Sequence, residues 1–118
     1  MPARESMVYS VLTTVGDEAQ ARRLAGAAVE RRLAACAQVE RIESHYRWDG
    51  ALHAEPEWRL VFKTSAGALE GLLAWLRGAH PYELPQLLWQ AWDASPGYAA
   101  WVRAETGGSA NGEPRGAG

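Results

Sequence analysis

Residues 34–50 read A-A-C-A-Q-V-E-R-I-E-S-H-Y-R-W-D-G, one long strand running into an Asp-Gly turn. Its side-chain phase slips part-way along. Val39 shares the odd-numbered face with Ala35 and Ala37, whereas the apolar and aromatic positions beyond it, Ile42, Tyr46 and Trp48, are even. Side chains alternate faces along a strand, so keeping one face buried through that slip requires a bulge near Glu40 or Arg41. A strand this long also overruns a small sheet. Its far half, with Tyr46 and Trp48, needs another surface, and a second copy of the chain is the expected one.

Working outward, Met7 to Thr13 is a short strand of β-prone residues. Asp17 is placed to cap a helix, with Gln20 three residues on completing a capping box. In that helix Ala21, Leu24, Ala25, Ala28 and Val29 form one apolar stripe, and Arg22, Arg23, Glu30 and Arg31 solvate the other side. After the long strand and Asp49-Gly50, the return strand is expected only from Glu57, beyond Pro56, where Trp58, Leu60 and Phe62 alternate with polar neighbours. Ser65 is expected to cap a second helix with the stripe Leu69, Leu72, Leu73, Leu76, ended by Gly78. His80-Pro81-Tyr82-Glu83-Leu84-Pro85 reads as an extended loop, because residues before prolines avoid the helical region. A fourth strand follows over Leu87 to Trp92. Ser95-Pro96 opens a last helix expected to bury Tyr98, Trp101 and Val102.

The order β-α-β-β-α-β plus a terminal helix predicts an α+β, ferredoxin-like antiparallel sheet with both main helices on one face. One domain is expected over 7–106, flanked by a flexible N-terminus over 1–6 and a disordered Gly- and Ser-rich tail over 107–118. At 118 residues, 47% hydrophobic and 22% charged, the composition is that of a soluble globular domain. A net charge of −2 gives no electrostatic reason to propose nucleic acid or an anionic membrane as partner. No stretch approaches the apolar length of a membrane span, and the first residues do not form a signal peptide, so a cytoplasmic location is expected. Cys36 is the single cysteine, which excludes an internal disulfide. Six tryptophans point to a core or interface rich in aromatic area.

These pieces together resemble the CutA divalent-cation-tolerance family. The resemblance rests on Thr14 with Asp17-Glu18, Arg32-Leu33-Ala34-Ala35-Cys36, Ser44-x-Tyr46-x-Trp48-x-Gly50, Glu57 leading to Lys63-Thr64, His80-Pro81-Tyr82-Glu83-x-Pro85, and Tyr98-x-x-Trp101. It implies a ferredoxin-like homotrimer, similar in shape to the PII signalling proteins, linked to tolerance of copper and other divalent cations. It also implies a metal site built from this histidine, a cysteine on the first strand and an acid after the second proline. This chain departs there, with Thr13 and Gln86 at the last two positions.

Two constellations carry candidate chemistry. His80 and Glu83 offer an imidazole and a carboxylate from one loop, ligands that copper(II) or another divalent cation accepts; the alternative is a histidine that merely fastens a proline-bounded loop. Lys63, Tyr46, Trp48, Tyr82 and Glu83 are expected to meet at clefts between subunits and to hold a small ligand. There the alternative is that Tyr46 and Trp48 pack an interface and Lys63 pairs with a carboxylate. Cys36, between alanines on what reads as a central strand, is expected to be a buried structural thiol. His45 and His53 have no spacing partner, and His53 reads as an exposed turn residue. No catalytic motif holds together, so the chain reads as a non-enzyme. Copper or divalent-cation binding or sensing is the leading function. The alternatives are a PII-like ligand-binding regulator and a stable trimeric scaffold.

Overall fold

The computed structural model describes residues 6–106. The expected flexible start and disordered tail therefore lie outside the described residues, except Ser6, whose carbonyl accepts from the Ala94 amide. In chain order the elements are β1 (Met7–Val15), α1 (Glu18–Glu30), β2 (Cys36–Trp48), β3 (Ala51–Thr64), α2 (Leu69–Ala79), β4 (Leu88–Asp93) and α3 (Pro96–Glu105). The strands form one sheet in the order β2-β3-β1-β4, every neighbouring pair antiparallel. This is the split βαβ arrangement that the element order predicts.

The main core lies between the sheet and the two long helices. Val11 and Val15 of β1, Leu60 and Phe62 of β3, Leu24 of α1 and Leu72 and Leu76 of α2 are all fully buried there. α1 starts at the expected cap, the Asp17 side chain accepting from the Gln20 amide at 2.8 Å, but the Gln20 side chain turns to Arg23 and does not complete a capping box. α2 does not start at Ser65. A turn intervenes, Ala68 takes the cap position, and the Ser65 hydroxyl instead pairs with Thr106 Oγ1 at 2.8 Å. Nor does Gly78 end it, since the helix runs through Ala79 to His80.

α3 lies on the opposite face of the sheet, its Ala99 and Val102 packed on Val8 and Ala35. Tyr98 and Trp101, expected to be buried with Val102, stay substantially exposed. The helix is short and its inward face is only as wide as Ala99 and Val102, so its aromatics are left at the margin.

The expected bulge in β2 is absent. The β2–β3 pairing runs without interruption from Cys36 opposite Lys63 to Trp48 opposite Ala51. The phase slip is real but has another cause: the covered face changes along the ribbon. Near the base Ala37 packs toward the helices, whereas farther out Ile42, Ser44 and Tyr46 face the other side, where the 80–87 loop approaches. The return strand also begins earlier than expected. Asp49 and Gly50 both adopt left-handed backbone (φ 55° and 79°), which makes a two-residue turn whose twist suits a hairpin, so β3 starts at Ala51. Pro56 is tolerated because it lies beyond Trp58, the last β3 residue that β1 pairs, leaving that edge of β3 without a strand partner. The far part of β2–β3 is thus a two-stranded ribbon projecting past the sheet.

Candidate functional site

The site forms where the projecting ribbon meets the α2–β4 loop. That loop is fastened by His80, which is only 8% exposed. Its Nδ1 accepts from the Tyr82 amide at 3.0 Å. Its Nε2 lies 2.9 Å from the Thr14 carbonyl and 2.9 Å from Thr13 Oγ1. A backbone N–H must donate and a carbonyl must accept, so the ring is the neutral tautomer with its proton on Nε2. Burial lowers the His80 pKa below its ordinary value, against smaller opposing contributions from the Thr14 carbonyl and the Glu57 charge.

The loop then steps across the end of β1. Thr13 belongs to the helix-facing side of the sheet, but Tyr82 reaches the other side, where its hydroxyl donates to Glu57 Oε2 at 2.8 Å. The second oxygen of the same carboxylate accepts from Ser44 Oγ at 2.7 Å. One turn of the ribbon outward, Tyr46 donates to Glu55 at 2.9 Å and stacks on His53 with ring centroids 5.1 Å apart. Tyr82 ionises well above the usual tyrosine range, first because of burial and then because of the Glu57 hydrogen bond. Tyr46 is raised as well, chiefly by its bond to Glu55. Gly16 makes room for this arrangement: a Cβ there would stand 3.1 Å from the Tyr82 hydroxyl.

Ribbon and loop enclose an open cleft of about 700 Å³. Tyr46 and Trp48 form its ribbon wall, Tyr82 and Glu83 its loop wall, and Glu57 lies between them. The structure therefore brings together four of the five residues expected at a ligand cleft, and does so within one chain. Lys63 is not among them. It lies nearer the base, donates to Gln38 at 3.2 Å, and lines a separate, largely apolar cleft of about 470 Å³ beside α3 with Val61, Trp92 and Tyr98. The reason is the uninterrupted register, which places Lys63 opposite Cys36, six residues along β3 from Glu57.

Other expectations shift with the topology. β2 is an edge strand, not a central one, so Cys36 is half-buried. His53 is a half-buried strand residue stacked on Tyr46, not a turn residue in water. His45 pairs with Glu43 at 3.0 Å on the exposed ribbon. Ser44, Glu57 and Gly16 were not expected as site residues. The signal for the first two was their phase: Ser44 shares the even positions of Tyr46 and Trp48, and Glu57 faces them from the opposed strand.

The metal expectation meets a specific difficulty. Both ring nitrogens of His80 are spent on protein groups, and Thr13 is one of its partners. Gln86 lines the cleft but offers only a neutral amide. Among the described residues no three His, Cys, Asp or Glu side chains are grouped to hold a metal ion. As arranged in the single chain, the residues do not fit a copper centre at His80 and Glu83.

The model of the CutA1 divalent ion tolerance protein family matches residues 9–105. The chain belongs to that family. A CutA divalent-cation tolerance protein of Yersinia pestis is 36% identical over 96 residues, covering 80% of this chain and 81% of its own. CutA from Synechococcus elongatus is similar in structure, with a TM-score of 0.78, 41% identity, and coverage of 85% of this chain and 90% of the other. The same Synechococcus protein has also been solved complexed with Bis-Tris, at 40% identity, TM-score 0.78, and coverage of 85% and 94%. Membership carries a link to divalent-cation tolerance, and CutA1 is not a family named for an enzymatic reaction. Among the described residues no helix is long and apolar enough to cross a membrane.

Proposed function

We propose that this CutA1-family protein works without turnover, as a cytoplasmic homotrimer, in tolerance of copper and other divalent cations, and that it does so by binding a small organic ligand in the ribbon–loop cleft. One observation carries the reading. The Glu57 carboxylate is held from two sides by Ser44 and Tyr82, beneath the aromatic walls of Tyr46 and Trp48, in a cleft sized for a small molecule. Side chains fixed in this way are organised before any ligand arrives, which lowers the cost of binding. The Synechococcus relative complexed with Bis-Tris supports the capacity of this fold to hold a small organic molecule. The homotrimer is supported by the two sheet edges, β2 and β4, and by Leu88, Trp89 and Trp92, all substantially exposed in the single chain.

This reading differs from direct copper(II) binding at His80 and Glu83. Such a site would have to break the Tyr82–His80 or the Thr14–His80 hydrogen bond before a ring nitrogen became available. Calorimetric titration of copper(II) into the protein and into His80→Ala separates the two. The expected result is no site of micromolar affinity that depends on His80. A site worth about 8 kcal/mol or more that disappears in His80→Ala would overturn the proposal and restore the metal centre.

A further inference from the structure

We infer that the cleft beside α3 is a second binding site, separate from the ribbon–loop cleft, and that it takes a small organic acid whose carboxylate meets Lys63 and whose body is apolar. Leu12 of β1, Val61 of β3 and Trp92 of β4 line its space of about 470 Å³, with Tyr98 of α3 beside them. Such a largely apolar space with a few polar groups is the usual make-up of a small-molecule site. The polar groups here offer donors. The Lys63 ammonium carries three N–H donors and commits one of them, to Gln38. Among the described residues it pairs with no carboxylate. Glu40, which shares its face of the sheet, is taken by Arg59 at 3.0 Å. Ser10 is buried; its oxygen accepts from the Trp92 indole N–H at 2.7 Å, and no described hydrogen bond uses its own proton. Tyr98 holds its proton at neutral pH, since burial, and after it Cys36, raises its pKa.

What this arrangement lacks is a negatively charged acceptor. A carboxylate would take a charge-assisted hydrogen bond from Lys63, while the hydrocarbon behind it would remove Leu12, Val61 and Trp92 from water. An ammonium ligand would meet Lys63 as a like charge. Inorganic phosphate would satisfy the ammonium but leave the apolar walls wet, and a plain hydrocarbon would leave the donors unmatched. The two clefts are opposite in sign: Glu57 and Glu83 line the ribbon–loop cleft, whereas Lys63 is the charged residue lining this one.

Four probes separate these contributions when titrated into the full chain, with the Trp92 indole N–H signal followed by NMR. Octanoate supplies charge and an apolar body, octylammonium the opposite charge on the same body, octanol the body alone, and acetate the charge alone. Octanoate should shift the Trp92 signal and bind at least tenfold more tightly than each of the other three. Lys63→Met keeps an apolar stem but removes the ammonium. It should weaken octanoate at least tenfold, to the level of octanol, and leave the melting temperature close to that of the parent. A preference below tenfold over any of the three, or octanoate binding unchanged in Lys63→Met, overturns the assignment. A Trp92 signal that responds to no probe overturns it too, and a trimeric mass in the same sample would then identify a second copy as what covers this face. Each outcome leaves the reading of the ribbon–loop cleft standing, because neither Lys63 nor Trp92 lines it.

Discussion

The β2–β3 pair crosses two environments, and its halves obey different rules. At the base, Leu60 and Phe62 are fully buried beneath α1 and α2, and the apolar alternation of β3 is the alternation of the core. Beyond Trp58 the same two strands have no β1 beside them. There the register continues unchanged, but the ordered contacts are polar: Ser44 with Glu57, Tyr46 with Glu55, Tyr82 with Glu57. The base is organised by exclusion of water, the ribbon by charge-assisted hydrogen bonds to carboxylates. The first half carries the buried core, and the second presents its polar groups to a cleft.

That division can be broken experimentally. Phe62→Ala at the base should cost about 3–5 kcal/mol, read from the urea unfolding midpoint; a much smaller loss would mean that the core there is loosely packed. His80→Ala, at the junction, should cost about 1–3 kcal/mol by leaving the buried Thr14 carbonyl and the Tyr82 amide without their partner. The same histidine makes a pH prediction. Its pKa in the folded chain is lowered from 6.5, so the stability it contributes is complete above about 6.5 and is lost as pH falls below that value, where the unfolded chain binds the proton more readily. Unfolding midpoints measured across this range should fall with acid in the parent and less steeply in His80→Ala. A parallel fall in both would place the acid sensitivity elsewhere.

Gly16→Ala should cost about 1 kcal/mol because its Cβ presses on the Tyr82 hydroxyl, and its larger effect should be on ligand affinity, since Tyr82 must shift from Glu57. Calorimetry alongside thermal melting distinguishes the two effects. Smallest of all, Leu52→Ser at the ribbon tip, where the side chain is 74% exposed, should change stability by no more than about 0.5 kcal/mol in the chain alone. A loss approaching that of Phe62→Ala would show the tip buried against another copy, sharpening the contrast between a solvated ribbon and one completed by assembly.

Much of the base was legible in the residue pattern. The Leu24 and Leu72–Leu76 stripes, the Asp17 cap and the Trp58-Leu60-Phe62 alternation each led to the element observed, because each is a local pattern whose period the core enforces. The ribbon misled where burial was assumed to follow one face throughout. The slip between Val39 and Ile42 predicts a bulge, whereas it marks a change in what lies opposite the strand. The site was half legible. Tyr46, Trp48, Tyr82 and Glu83 were expected together, but Lys63, expected with them at clefts between subunits, lies apart within the single chain, because distance along the strand depends on register. Glu57 went unassigned because it stands as a polar residue at the start of the expected return strand, and nothing local shows a tyrosine 25 positions later donating to it.

Composition, periodicity and the proline-bounded loop were enough to establish an α+β chain of this topology and its likeness to CutA proteins, because short-range sterics and amphipathic period act on neighbours in sequence. The fate of His80 required the folded chain. Whether its nitrogens face an ion or the Thr14 carbonyl and the Tyr82 amide depends on how a loop crosses the end of β1. So does the cleft itself, where Glu57 accepts the protons of both Ser44 and Tyr82. Hydrogen-bond direction is set by which groups tertiary packing brings within about 3 Å of each other, and no pattern along the chain carries that distance.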